Sequence, residues 1–409
     1  MAGKAILLIG DGLGDRPVKA LNGQTPLEAA KTPNLDKVAA AGECGLLDPI
    51  APGVRAGSDT AHLSLLGYDP YEVYTGRGPF EALGIGMEVR RGDVCFRCNF
   101  STVSEKYMLV VDRRAGRINE GTAELAHAVV GLKFDGVECI FNESVEHRGA
   151  LILRGEGLGA AVSDVDPHRE GLHVLWAHGN DAASQKTADA LNRFVSASFE
   201  ILCHHPVNER RRMKNLAPAN ILLPRGAGMA PHLQPFAERY GFTGACVVEV
   251  GLVKGIGRYL GMEVVDVPEA TGGHDTDEIA LARAALAALE RHSFVLCNLK
   301  APDLGGHDGD PKAKMADIVK LDNMVGTILR GLPPDAHLVV TGDHSTPVAV
   351  KDHTGDPLPL AFYGPEVRGD KVKSFGERAC ADGGVGRIRG VNLMNMITNL
   401  TGSQEKFGA

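Results

Sequence analysis

The chain has 409 residues, 44% of them hydrophobic and 23% charged, with a formal net charge of -8. That balance excludes a disordered protein, the length points to two domains, and the acidic surplus argues against nucleic acid as a partner, since phosphate backbones demand a basic surface. No apolar run reaches membrane-spanning length, and the opening MAGKAILLIGDG reads as a buried first strand rather than a signal peptide, so no membrane partner is expected.

In chain order, a strand is expected over residues 4–9. A helix follows, with Thr32 as N-cap, Pro33 in first position and a close near Gly42, and a second runs from Ser58 to Gly67. From about 88 to 230 the texture changes to short alternating β-like runs, among them DVCFRCNFSTV, KYMLVVD and ALILR. Of the eight cysteines only Cys95 and Cys98 form a close pair, and CFRCNF reads as part of a strand, not as a zinc site or a disulfide framework. A reducing, cytoplasmic compartment is consistent with that usage. Strand and helix signals alternate again from CVVEVGLVKGIGRYLG onward. HDTDEIALARAALAALERH is a helix, SFVLCNLKAPD a strand, and KAKMADIVKLDNMVGTILRGL a helix broken by Pro333 and Pro334 before the strand HLVVTGDH. The economical division is one α/β domain made of residues 1–86 and 232–409, interrupted by an insertion of residues 87–231.

Seven residues remote in sequence each stand where a strand is expected to end. They are Asp11, Ser58, Asp303, His307, Asp343, His344 and His353. In an open α/β sheet the carboxyl ends of the strands line one crevice, so such residues can converge. Asp303, His307 and His353 could hold one divalent ion, and Asp11, Asp343 and His344 a second that also touches the Ser58 oxygen. GDGLGD resembles a dinucleotide turn only in part, because Asp15 stands where the third glycine belongs. Ser58 also suits a helix N-cap, a role compatible with nucleophilic chemistry at a helix start.

These segments together carry a resemblance. The strand followed by DG, TPNLD, the serine loop, APDLGGH, TGDH and HTG resemble the alkaline phosphatase superfamily. AGSDTAHLSLLGYDP, YTGRGPFEALGIG, LPRGAG and ATGGHDTD are similar to the archaeal-type, 2,3-bisphosphoglycerate-independent phosphoglycerate mutases, nearly end to end. The resemblance implies an alkaline-phosphatase-like mixed sheet flanked by helices, with an inserted smaller α/β domain that binds substrate. It implies interconversion of 3-phosphoglycerate and 2-phosphoglycerate in glycolysis and gluconeogenesis, through a phosphoserine at Ser58 and without bisphosphoglycerate. Two divalent ions are expected, manganese first and magnesium next, while the mixed oxygen and nitrogen ligands also suit zinc or cobalt. For the glycerate moiety the insertion offers Arg97, Arg113, Arg117 and Arg225, any one of which alone would read as a solvated arginine. Asp164, Asp166 and His168 in SDVDPH are candidate general acid/base groups or an ordinary polar turn, and Lys254 either meets a substrate phosphate or lies on the surface. A phosphomonoesterase or a phosphopentomutase-like enzyme would share the phosphoryl-transfer residues. A nucleotide-binding regulator without catalysis would leave Asp303, His307, His344 and His353 unexplained.

Overall fold

The computed structural model describes residues 3–231, 233–404, 406 and 408. His232, the expected restart of the first domain, lies outside the described residues. Fourteen strands occur among those described. In chain order they are β1 (Lys4–Gly10), β2 (Glu43–Asp48), β3 (Val94–Val103), β4 (Val110–Asp112), β5 (Lys133–Phe134), β6 (Val137–Glu143), β7 (Arg148–Arg154), β8 (Ile221–Met229), β9 (Gly244–Val248), β10 (Glu263–Val264), β11 (Phe294–Leu299), β12 (Ala336–Gly342), β13 (Leu358–Tyr363) and β14 (Gly386–Arg389). The chain divides into two compact units, Met1–Tyr74 with Leu233–Ala409, and Thr75–His232. The insertion thus begins at residue 75 and not at 87, because the short helix Gly78–Gly84 packs on β3, β7 and β8 of the second unit.

The first unit is built on an eight-stranded mixed sheet in the order β10-β9-β11-β1-β12-β13-β2-β14. β1, β11 and β12 are apolar on both faces, as strands covered on two sides must be. β1 runs parallel to both β11 and β12, whereas β13 pairs antiparallel with β12 and β2. Helices Pro33–Ala41, Glu278–Arg291 and Pro311–Gly331 supply Leu35, Val38, Leu281, Ala285, Ile318 and Leu321 to the core that holds Ile6, Leu8, Val295 and Val340. Each such leucine, isoleucine or valine contributes about 1.5–3 kcal/mol through burial. Thr32 does occupy the N-cap of Pro33–Ala41, but its side chain makes no cap bond. Asp322, from the Pro311–Gly331 helix, does the capping instead, its Oδ1 accepting from the Asn34 and Leu35 amides at 2.8 Å each.

The second unit carries a six-stranded antiparallel sheet in which β4-β3-β7-β6-β5 run in order and β8 also pairs with β3. Cys95 and Cys98 are buried free thiols on β3. A 22-residue helix, Ala182–Cys203, lies in the region read from sequence as short β-like runs. Its serines, Thr187, Val195 and Ile201 lower its helix propensity. Packing holds it: Ala188, Leu191, Phe194 and Val195 recur at three and four residues and Leu202 two turns further on, all buried in the core of this unit, and Asp181 caps its start by accepting from the Ser184 amide at 2.8 Å. Among the described residues no helix is long and apolar enough to cross a membrane.

Candidate active site

β1, β11 and β12 end level, with Gly10 paired to Leu299 on one side and Gly342 on the other. The next residues in each strand, Asp11, Lys300 and Asp343, are therefore delivered to one edge of the sheet. Gly12 turns the chain there with a φ of 62°, and a Cβ on it would stand 2.7 Å from the Asp303 Cα, so only glycine lets these segments approach. Asp303 and His307, expected at a strand end, lie on a short helix that follows β11, Ala301–Asp308, with Pro302 in its first turn and Gly309 closing it in the left-handed conformation. Their four-residue spacing puts both on one face, with His307 Nε2 3.4 Å from Asp303 Oδ2.

Potential ligand atoms of Asp11, Asp343 and His344 lie within 4.8 Å of one another, as do those of Asp303, His344 and His353. His344 is near both sets, but its Nδ1 is hydrogen-bonded to Thr346 Oγ1 at 3.0 Å. Only Nε2 is left to ligate, and it faces Asp343 Oδ2 at 3.3 Å and Asp11 Oδ1 at 3.6 Å. The tautomer therefore aims His344 at Asp11 and Asp343 and leaves Asp303 with His353, while His307, though close to Asp303, lies outside both groups of mutually close ligand atoms. His353 Nε2 is 3.7 Å from Asp303 Oδ1. His353 and His307 direct Nδ1 at the carbonyls of Ala56 and Lys351, at 2.8 and 3.0 Å, which leaves each Nε2 with a free lone pair. The His344 and His353 rings stack, with centroids 3.6 Å apart.

The donor set fits divalent ions. Asp343 Oδ1 accepts from the Gly12 and His344 amides at 3.0 Å each, while its Oδ2 is buried without a hydrogen-bond partner. A buried, orphaned carboxylate oxygen beside a second carboxylate calls for a cation. Burial and the neighbouring Asp343 push the Asp11 carboxyl up, and burial does the same to Asp343. Burial lowers His344 to about 3, which keeps it the neutral imidazole that ligation requires. Lys300, not singled out from sequence, contacts Asp11 Oδ1 at 2.8 Å and Asp303 Oδ2 at 2.7 Å. Thr346 was missed as well, and donates its hydroxyl proton to Asp303 Oδ1 at 2.7 Å.

Ser58 begins the helix Ser58–Leu65 but does not cap it. Gly57 holds the N-cap position, because Ser58 already has helical backbone and its hydroxyl makes no cap bond. That hydroxyl lies 3.2 Å from His344 Nε2. The buried His62, four residues on, donates from Nδ1 to the Ser58 carbonyl at 2.7 Å and so fixes the first turn.

In the second unit, register puts Arg97 of β3 directly opposite Arg225 of β8. Burial lowers the Arg97 pKa to about 10 and that of Arg225 in the same direction, against the opposing pull of Glu81, 3.8 Å from Arg97, and Asp166, 3.6 Å from Arg225. Arg113 is held by Asp166 in a two-bond fork of 2.9 and 2.6 Å, and Asp166, 1% exposed, also accepts from the His168 amide at 2.9 Å. Asp166 is fully occupied as an anchor. Asp164 accepts from the Gly226 amide at 2.7 Å and pairs with His168 Nε2 at 2.8 Å. Arg117 belongs to a group that sequence reading did not assemble. Its charge, with those of Arg148, Arg114 and Arg97, acts on His147, whose pKa falls to about 4, first through burial and then through these charges. His147 Nδ1 and Arg225 Nε are buried without hydrogen-bond partners. Lys254 lies in the first unit, on the helix Gly251–Tyr259, paired with Asp266 Oδ1 at 2.6 Å.

A family model for 2,3-bisphosphoglycerate-independent phosphoglycerate mutase matches residues 39–208. The 2,3-bisphosphoglycerate-independent phosphoglycerate mutase 1 of Methanothermobacter thermautotrophicus is 52% identical over 99% of this chain and 100% of its own length. The chain belongs to the 2,3-bisphosphoglycerate-independent phosphoglycerate mutases. That of Methanocaldococcus jannaschii is 48% identical over 100% of this chain and 99% of its own. Among solved structures, the cofactor-independent phosphoglycerate mutase of Thermoplasma acidophilum superposes with a TM-score of 0.74 at 38% identity, covering 98% of this chain and 100% of that one. A Pyrococcus horikoshii protein superposes with a TM-score of 0.88 at 40% identity, with both chains fully covered. A phosphoglycerate mutase is an isomerase, which moves a phosphoryl group within its substrate.

Proposed function

We propose that this phosphoglycerate mutase interconverts 3-phosphoglycerate and 2-phosphoglycerate through a phosphoserine at Ser58, without bisphosphoglycerate. Two divalent ions, manganese first and magnesium next, would be held by Asp11, Asp343, His344 and the Ser58 oxygen, and by Asp303, His307 and His353. The observation that carries this reading is the Ser58 hydroxyl, free of any cap bond, 3.2 Å from His344 Nε2 at the start of a helix. Such ions would neutralise charge on the phosphoryl oxygens and favour the serine alkoxide. Ser58 Oγ bonds to phosphorus as the ester O–P bond of the substrate breaks, and the free N–H groups of its helix attract the phosphoryl group. Glycerate then presents its other hydroxyl, which takes the phosphoryl group back and frees Ser58.

In the inserted unit, Arg97 and Arg225 form an anion site, since their pairings with Glu81 and Asp166 are long, at 3.8 and 3.6 Å, and Arg225 Nε is buried without a hydrogen-bond partner. Arg113, oriented by Asp166, and Arg117 add to the same positive field. The more exposed Asp164–His168 pair suits proton transfer with the glycerate hydroxyls. The eight free, buried thiols suit the reducing cytoplasm, where glycolysis and gluconeogenesis run.

The test is conversion of 3-phosphoglycerate by protein stripped of metal with a chelator, then given manganese, with no bisphosphoglycerate added. Activity lost on stripping and restored by manganese is expected. Full activity after stripping would remove the two-ion reading, and phosphate release without 2-phosphoglycerate would make the protein a phosphomonoesterase.

A further inference from the structure

Lys314 is one of the largest fully buried side chains among the described residues, on the helix Pro311–Gly331. A lysine ammonium has three N–H donors, and all three are used: Nζ donates to the Gly14 carbonyl, to Asp15 Oδ2 and to the Thr346 carbonyl, each at 2.9 Å. Asp15 is satisfied in turn, accepting from the Val348 amide at 3.1 Å and from the Arg16 amide at 2.7 Å. The three acceptors of Lys314 come from two loops that are far apart in sequence. One follows β1 and carries Asp11; the other follows β12 and carries Asp343 and His344. The helix of Asp303 and His307 meets the same lysine from a third side, where a Cβ on Gly305 would stand 2.7 Å from the Lys314 Cα.

A buried ion pair is a poor way to stabilise a fold, since well-packed apolar residues of like volume serve as well or better. Its use is registry. We propose that Lys314 is a positioning residue for the two-metal centre, holding the Asp11 loop and the Asp343–His344 loop at the separation that metal binding requires. The connection from Lys314 to the ligands is short. The Thr346 carbonyl that it holds belongs to the residue whose hydroxyl accepts from His344 Nδ1 and donates to Asp303 Oδ1, at 3.0 and 2.7 Å. With Lys314 neutral and apolar, that loop is free to shift, and with it the aim of His344 Nε2 and the orientation of Asp303.

This inference rests on the two-ion reading, and manganese titration by calorimetry separates the two. Wild-type protein should bind two equivalents; if it binds none, the two-ion reading itself fails. Lys314→Met should bind manganese with an affinity lower by roughly tenfold to a hundredfold, the usual range for groups that orient metal ligands. Because Lys314→Met strands the Asp15 carboxylate, the neutral pair Asp15→Asn/Lys314→Met is measured beside it. The neutral pair should melt within a few degrees of the wild type and still bind weakly. Wild-type affinity in the neutral pair would overturn the role assigned to Lys314. So would its failure to fold, since the ion pair would then serve the fold and not the site.

Discussion

The Thr346 hydroxyl donates to Asp303 Oδ1 at 2.7 Å while accepting from His344 Nδ1 at 3.0 Å. One short side chain thereby sets the orientation of a carboxylate in one ligand set and the tautomer of an imidazole in the other. Thr346→Val keeps the shape and removes both bonds. Manganese affinity should fall roughly tenfold or more, and stability by about 1–3 kcal/mol, because His344 Nδ1 is left buried without a partner. Calorimetric titration and a urea melt read the two effects separately. Unchanged affinity would show that His344 and Asp303 are held by other means.

Ser58→Ala should cost turnover and spare the fold. Gly57, not Ser58, sits at the N-cap, so the loss of about 1 kcal/mol typical of a removed cap is not expected, and the melting temperature should match the wild type. Turnover should fall by several orders of magnitude, since the group that takes the phosphoryl is lost. Acid quench after brief exposure to substrate should leave phosphate on the peptide containing Ser58 in the wild type and none in the variant. Phosphate found on a histidine would defeat the assignment.

Arg97 and Arg225 face each other across β3 and β8 and are both largely buried. Each also has a carboxylate beside it, Glu81 3.8 Å from Arg97 and Asp166 3.6 Å from Arg225. Arg97→Ala removes a buried charge together with its 3.8 Å pairing to Glu81, so stability should change little, while the hold on the substrate anion weakens by about 2 kcal/mol or more, some 30-fold in KM. Denaturant melts and initial rates check both. A variant that loses stability and keeps its KM would make this arginine structural.

Stability should also fall on mild acidification through His147. Its native pKa, near 4, lies below the ordinary 6.5. Between those values the unfolded chain binds the proton and the native protein does not, so this contribution is complete above about pH 6.5 and is lost as pH falls toward 4. Urea melts at pH 7 and pH 4.5 should show a smaller drop for His147→Gln than for the wild type. Equal drops would assign the acid sensitivity to other groups.

Much of the candidate site was legible in the sequence. An apolar run followed at once by Asp11 or by Asp343–His344 marks a strand end, and parallel strands ending level must bring such residues together. Asp303 and His307 were visible for the same reason, although the helix that carries them depends on Pro302 and Gly309. Other features were not legible because they depend on contacts between segments far apart in the chain. Lys314 looks like any exposed helical lysine until Gly14, Asp15 and Thr346 close around it, and the insertion begins at Thr75 only because Gly78–Gly84 packs on strands further along. Arg97 opposes Arg225 by virtue of strand register, which no local pattern encodes. Asp322 caps the Pro33–Ala41 helix from 288 positions away in the chain. Sequence periodicity determined which residues would lie at strand ends and on buried faces, since those follow from the local geometry of helix and strand. Tertiary packing alone decided which polar groups orient the ligands, because a buried donor must find an acceptor wherever the folded chain happens to supply one.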